Sequence, residues 1–399
     1  MDFCRFMDEH PTVYHFVEGL RHKLDAAGFN EITERDLARI RRGGRYYLTR
    51  NGTSLVAFVV GLDFIPGPDG ANVVATHVDA NRLTLKPSSI ASSVMGYLQF
   101  ATAPYADGAN ASWMDRDLGL GGRVVVKQNG AIASKLVRLP GVIGSLPTLA
   151  PHFGAMPANL EQKPVVASSG TEPEATDEEK HAPLYGKHSL RLLRAVAKEA
   201  GCKVNQILEW DMEFFSAEHA KIGGLDKDLI YCSRMDDKLC SYAAIDALLA
   251  APEAAHVLQI AALYDNEEIG SETRQGAKGN LLDVALTAVF DSLNATIDER
   301  RQTIANSYLV SADVTHAGNP NYADAYLEHH VPLLNTGVAV KRLGRFAGSG
   351  VDAGVAQLIA ARCHQKLQYF APRNDTRTGG TIGPMLAAYT GIPTVDMSH

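Results

Sequence analysis

The stretch His256-Val257-Leu258-Gln259-Ile260-Ala261-Ala262-Leu263-Tyr264-Asp265-Asn266-Glu267-Glu268-Ile269-Gly270-Ser271 decides the architecture. Residues 256–263 form an apolar run long enough for one strand, of the kind that is buried on both faces of a helix-covered sheet. The run ends directly in three carboxylates. Asp265, Glu267 and Glu268 therefore arrive at the edge of a buried sheet, where an unpaired charge is costly and a cation is welcome. Working outward, the same texture recurs. Residues 73–76 make a short buried-strand pattern that ends on His77 and Asp79, and residues 308–311 lead to Asp313 and His316. Asp236 and Asp237 stand ahead of a helical pattern over 241–251. Open α/β sheets carry their sites beyond strand ends, so these clusters are candidates for one cleft.

Around these segments helices and strands alternate, which predicts an α/β fold with a sheet flanked by helices. Val13, Phe16, Val17, Leu20 and Leu24 recur at helical spacing up to Gly28, a plausible C-cap. Residues 45–50 and 54–61 read as two strands around Asn51-Gly52, the dipeptide that most favours a type I′ hairpin. Between about 86 and 220 the texture changes to short β-like runs, such as 124–128 and 135–139, with many Gly and Pro residues. This predicts a discontinuous domain, 1–87 with 221–399, interrupted by a β-rich insertion at 88–220. The acidic stretch 168–179 reads as a mobile surface loop.

The composition excludes several classes. With 46% hydrophobic and 21% charged residues, the 399-residue chain is an ordinary globular sequence, long enough for two domains. A net charge of −7 argues against a nucleic-acid surface. No apolar run approaches the roughly 18 residues of a spanning helix, and the first nine residues lack a secretory h-region. No membrane association and a cytoplasmic location are the expectation. The five cysteines are scattered without a CxxC pair and read as reduced core thiols.

The chemistry lies in the acidic and imidazole clusters. Histidine nitrogen and carboxylate oxygen suit a borderline metal such as zinc, and carboxylate-rich sites also accept Mn or Co. In a strand, positions i and i+2 point the same way, so His77 and Asp79 can face one cleft, the Asp orienting the imidazole or the metal. Glu267 and Glu268 point differently, so one can bind metal while the other stays free as a general base. Each fragment alone has a plainer reading. An HxD pair is commonly a surface or capping pair, adjacent Asp residues before a helix are commonly N-caps, and a Glu-Glu pair is commonly solvated surface. Taken together, they are compatible with a metallohydrolase.

Seven segments in order also carry a resemblance. They are residues 43–52 (GGRYYLTRNG), 76–79 (THVD), 115–120 (DRDLGL), 234–236 (RMD), 265–271 (DNEEIGS), 311–313 (SAD) and 380–384 (GTIGP). On these the chain resembles, nearly from end to end, the aspartyl aminopeptidase (M18) family of zinc metallopeptidases. The resemblance implies a zinc-exopeptidase-like mixed sheet flanked by helices, with an inserted, mostly β dimerisation domain. It implies two zinc ions per subunit, Asp236 bridging them, His77 and Glu268 as ligands of separate ions, and Asp313 completing one sphere. Glu267 would be the general base, and Asp79 would support the metal site. His316 and His152 match histidines used around the scissile carbonyl, the latter reaching in from a neighbouring subunit. Lys341 falls where the family places a lysine suited to an acidic substrate side chain. The implied activity is release of N-terminal residues, preferably Asp or Glu, from peptides by a homo-oligomer, a dimer building to a dodecamer.

Departures from the pattern are specific. The family reads HTDSP where this chain has His77-Val78-Asp79-Ala80-Asn81, and Asn where it has Asp237, here followed by Lys238. An extra carboxylate and ammonium beside the metals would alter affinity and pKa values. The family continues from the strand matching 394–396 to a Met-His-Ser whose histidine is a further ligand. His399 does not align with it, so a C-terminal truncation is the expectation, leaving one zinc short of a nitrogen ligand. Two alternatives stay open at this stage: a catalytically impaired oligomeric scaffold, and a related di-zinc aminopeptidase or deacylase of other specificity.

Overall fold

The computed structural model describes residues 2–37, 40–90, 95–108, 110–154, 161, 164–166, 172–252, 254–376 and 378–398. The chain divides into two units, Met1–Phe16 with Asn81–Ser233, and Val17–Ala80 with Arg234–His399.

The second unit carries a nine-stranded mixed sheet. In chain order its strands are β1 (Asn30–Glu31), β2 (Arg45–Arg50), β3 (Ser54–Val60), β4 (Ala71–His77), β5 (Leu258–Tyr264), β6 (Tyr308–Asp313), β7 (Val338–Lys341), β8 (Leu367–Phe370) and β9 (Thr394–Ser398). They lie in the spatial order β1-β2-β3-β5-β4-β6-β9-β7-β8. β5, the apolar run that opens the argument, is central. It pairs antiparallel with β3 and parallel with β4, and all its residues except Gln259 are buried. Helices α1 (Met235–Ala250), α2 (Leu281–Ser292), α3 (Ile297–Ala305), α4 (Gly350–Arg362) and α5 (Gly383–Thr390) belong to the same unit, as does most of the expected N-terminal helix, Val13–Ala26. Leu281, Leu282, Ala285, Leu286 and Val289 of α2 join Phe58, Val73, Ile260 and Leu309 in one buried cluster. Each leucine there contributes about 1.5–3 kcal/mol relative to exposure. The mixed α/β class expected from the sequence is the class observed.

The β2–β3 hairpin departs slightly from the simplest form. Asn51 and Gly52 both take positive φ, 58° and 69°, and Thr53 N–H donates to the Arg50 carbonyl at 3.2 Å, closing a type I′ turn. Thr53 then adds a third residue before Ser54 pairs with Arg50.

The first unit holds a six-stranded sheet. Its spatial order is Ala131–Arg138, Leu118–Gln128, Ile207–Ser216, Arg82–Ile90, Leu98–Tyr105 and Val165–Val166. Strands 118–128 and 131–138 are longer than the runs read from the sequence, because the first passes through Gly119, Gly121 and Gly122. Those glycines are required by close approach. A Cβ at Gly122 would lie 1.9 Å from the Asp211 carbonyl. The acidic stretch is not loop throughout. Asp177–Lys180 forms a helical turn with a Thr176–Glu179 capping box, while 168–171 fall outside the described residues. All five cysteines are free thiols; Cys240 is buried, Cys202 packs partly buried against a core cluster, and Cys363 is exposed, so the core reading fails for Cys363. No described helix is long and apolar enough to cross a membrane.

Candidate metal centre

Parallel strands bring the site to one level. Tyr264 of β5 pairs with His77 of β4, and Ser311 of β6 pairs with Ala75, so Asp313 comes level with His77. Val78 N–H donates to the Tyr264 carbonyl at 2.8 Å, carrying the ladder one residue beyond β4. Helix α1 fixes the end of that strand from the side. Asp237 Oδ2 accepts the His77 N–H at 3.2 Å, and Ser241 Oγ lies 2.7 Å from both the His77 carbonyl and Thr76 Oγ1. Asp236 and Asp237 have non-helical backbone angles, so both carboxylates precede the first regular turn of α1.

The loop after β5 is held by one side chain. Asp79 is fully buried. Its Oδ1 accepts the Glu267 N–H and its Oδ2 the Glu268 N–H, each at 3.1 Å. The 3₁₀ turn Glu267–Ile269 is entered through Asn266 at φ 63°, a left-handed conformation that Asn tolerates. Asp79 Oδ1 also lies 3.3 Å from His77 Nδ1.

The other imidazole nitrogen faces three carboxylates. His77 Nε2 is 3.2 Å from Asp236 Oδ1, 3.6 Å from Asp313 Oδ1 and 3.9 Å from Glu267 Oε2. Glu268 Oε1 and Asp237 Oδ1 are buried without a hydrogen-bond partner among the described residues. His77, Asp237 and Asp313 each offer a ligand atom within 4.8 Å of the others. Of the two neighbouring aspartates, Asp236 turns its Oδ1 to Nε2 with its side chain half exposed, whereas Asp237 gives Oδ2 to the His77 N–H and keeps its buried Oδ1 without a partner among the described residues.

The electrostatics set these groups apart from ordinary side chains. Burial opposes charge on His77, but the neighbouring carboxylates of Asp236, Asp313 and Asp79 prevail and raise its pKa well above the ordinary value. Burial also works against ionised Asp313, yet the His77 hydrogen bond and charge, with Lys341, hold it below the usual carboxylate range. Burial pushes Glu267 up to about 7, reinforced by Asp313 and Asp79 against the pull of His77. Glu268 is pushed up to about 8 by burial and then by Asp236. Asp237 is raised well above its ordinary value by burial first. Carboxylates this close cannot all ionise without a compensating cation. The orphaned Glu268 and Asp237 oxygens and the nitrogen–oxygen donor set fit zinc.

His77, Asp79, Asp236, Glu267, Glu268 and Asp313 thus meet, as read from their motifs. Lys341 is buried beside them: Nζ donates to the Val314 carbonyl at 2.6 Å and stands 3.5 Å from Asp313 Oδ2. His316 is exposed, with its ring 6.0 Å from Phe370, and lines a cavity of about 220 Å³ together with Tyr326, Phe370 and Arg373. His152 lies exposed on the short turn Pro151–Phe153 of the other unit. His399 lies outside the described residues. Two acids escaped assignment. Asp237 entered beside Asp236 as a candidate and as a departure from a motif but was given no role, and Asp396, fully buried in β9, gave no signal beyond being an acid in a strand-like run.

Comparison with known proteins follows the same lines. Residues 6–399 match the sequence model of the family described as aminopeptidase I zinc metalloprotease (M18). The chain is 39% identical to vacuolar aminopeptidase 1 of Saccharomyces cerevisiae, over 99% of this chain and 81% of the relative. It is 32% identical to aspartyl aminopeptidase of Aspergillus oryzae, over 100% of this chain and 89% of the relative. Among solved structures, the crystal structure of prApe1 superposes with a TM-score of 0.95 at 38% identity, covering 100% of this chain and 87% of that one. The S. cerevisiae mApe1 dodecamer gives 0.89 at 37% identity, covering 100% and 89%.

Proposed function

The chain belongs to the M18 family of zinc metallo-aminopeptidases, and from that premise we propose that it releases N-terminal residues from peptides, Asp and Glu preferred, with two zinc ions and Glu267 as general base. The convergence of Asp236, Asp313 and Glu267 on His77 Nε2, with Asp79 at Nδ1, carries this reading. His77, Asp236, Glu268 and Asp313 would hold the metal, Asp236 between the two ions; Mn or Co would suit the same donors. Zinc held there supplies Lewis acidity toward a carbonyl and acidifies water.

The chain's own residues divide the remaining work. Asp79 keeps the imidazole oriented while tying down the turn that carries Glu267 and Glu268. Glu267 sits in a largely buried position, where its carboxylate takes a proton from water and returns it to the leaving amine. A pKa of about 7 in the metal-free chain starts Glu267 near the working range of such a base, and a nearby cation lowers it. His316, and His152 of a neighbouring copy, would donate to the developing oxyanion.

Preference for acidic residues is supported by relatives named aspartyl aminopeptidase. Lys341 has three N–H donors. Val314 takes one and Asp313 faces another, and the third would meet a substrate carboxylate. A second reading, broader specificity, is favoured by the same geometry, because a buried ammonium already engaged twice has less to offer an acidic side chain. The chain would act in the cytoplasm as a homo-oligomer. A closed assembly is the usual outcome of self-association, a solved relative is a dodecamer, and the inserted region at 88–220 would supply the contacts.

Hydrolysis of N-terminal Asp, Glu, Leu and Ala chromogenic amides by the parent chain and by Lys341→Ala, with and without zinc, tests the reading. Zinc-dependent cleavage favouring Asp or Glu, with that preference lost in the variant, supports it. Equal rates on all four amides would instead support the broader reading, and no zinc-dependent turnover would overturn both.

A further inference from the structure

Lys341 has two buried carboxylates on its face of the sheet, one in ion-pair range and one its register partner, and only the first belongs to the centre described above. Its Nζ stands 3.5 Å from Asp313 Oδ2. Across the sheet Lys341 of β7 is the register partner of Asp396 of β9, which in turn pairs with Ser311 of β6. Directly paired residues share a face, with Cβ atoms about 4.5–5.5 Å apart. Asp313, two residues beyond Ser311, lies on that face too. The ammonium acts favourably on both acids, while Asp396 and Asp313 repel each other.

Asp396 itself is fully buried. Its Oδ2 accepts the Ala347 N–H, and its Oδ1 has no hydrogen-bond partner among the described residues. The fold makes room for Oδ1 through Gly383, where a Cβ would lie 1.9 Å from it. A buried carboxylate is costly unless its charge is balanced. Here Ser311 and the Ala347 N–H favour the charge first, and the cation on the same face is the ammonium that faces Asp313.

We propose that Asp396 is a positioning residue for the aminopeptidase reaction, sharing the Lys341 ammonium with Asp313 so that Asp313 stays available to zinc. This rests on the reading of Asp313 as a zinc ligand. With Asp396 replaced by a neutral residue, its charge no longer offsets the Lys341 ammonium 3.5 Å from Asp313, which then opposes the metal at that carboxylate. Removing the ammonium as well removes the competitor.

The test is zinc affinity of the full chain, measured by competition with a fluorescent chelator. Asp396→Asn raises the zinc Kd about 10–100-fold, the range for residues that orient a ligand. Lys341→Met/Asp396→Asn brings it back to within about threefold of the parent, a residual of under about 0.7 kcal/mol. A buried acid with a merely structural role would lower thermal stability in both variants and zinc affinity in neither. A Kd for Asp396→Asn within about twofold of the parent, or a double variant no better than the single, overturns the proposal. Should Asp396→Asn not fold, Lys341→Met alone decides: zinc binding at least as tight as the parent's supports the proposal, and weaker binding overturns it. Asp313→Asn separates the two levels. Zinc affinity unchanged in that variant overturns the ligand assignment and this inference with it. Affinity lost there but kept in Asp396→Asn overturns the inference alone.

Discussion

Replacing Asp79 with alanine should loosen the centre and the fold together. Its carboxylate accepts two backbone N–H groups, from Glu267 and Glu268, each at 3.1 Å, and lies 3.3 Å from His77 Nδ1. Hydrogen bonds to a charged group contribute about 1.5–3 kcal/mol each, so losing two costs about 3–6 kcal/mol. The turn is only partly buried and water can reach its freed N–H groups, so the lower end applies: about 3 kcal/mol for the metal-free chain. At about 2–4 °C per kcal/mol for a unit of this size, that is a fall in Tm of about 6–12 °C. Freeing the imidazole should also weaken zinc binding about 10–100-fold. Urea denaturation of the metal-free protein reads the first effect and a chelator competition the second. Metal-free stability within about 0.5 kcal/mol of the parent, together with unchanged zinc affinity, would refute the assignment of Asp79 as the clamp.

Other expectations follow from the same geometry. Glu267→Gln should lower kcat about 10²–10⁴-fold, the usual weight of a general base, while zinc content by elemental analysis stays at the parent level; loss of zinc instead would make Glu267 a ligand. Burial raises Glu267 and Glu268 in the folded metal-free chain to about 7 and about 8. Their contribution to stability is thus complete below the unfolded value near 4.5 and disappears as pH rises through 7 to 8. Urea midpoints of the metal-free chain should fall across that window, with zinc restoring most at the alkaline end, and a flat profile in both series contradicts the shifts. Arg50→Ala should cost about 3 kcal/mol, because the buried guanidinium bonds Glu34, the Arg274 carbonyl at 2.7 Å and Asn280 at 2.9 Å. A denaturation midpoint unchanged from the parent would show that water replaces those contacts.

The sheet was legible where the chain announces it. Strands β3, β4 and β5 are apolar runs, and the charged residues that follow β4 and β5 mark where the site begins, whereas β3, antiparallel to β5, ends at the opposite edge. The motif residues His77, Asp79, Asp236, Glu267, Glu268 and Asp313 were found because each follows such a run or precedes a helix. Asp396 was not, since it sits inside a strand and its burial is set by neighbours far apart in sequence, Gly383, Ala347 and Ser311. Asp236 and Asp237 were not told apart for a related reason. Sequence shows two adjacent acids, and only the folded chain reveals that one faces the imidazole nitrogen while the other binds the His77 backbone. Lys341 was read as a substrate contact from a motif, but its bond to Val314 and its closeness to Asp313 depend on how β7 and β9 pair.

The most direct test of the central claim is zinc-edge anomalous diffraction from crystals of the chain grown with zinc. The account predicts anomalous density among His77, Asp236, Glu268 and Asp313, with Glu267 beside it and Asp79 behind the imidazole. Zinc bound elsewhere, with these six side chains arranged as they are without it, would contradict the assignment of this cluster as the metal centre.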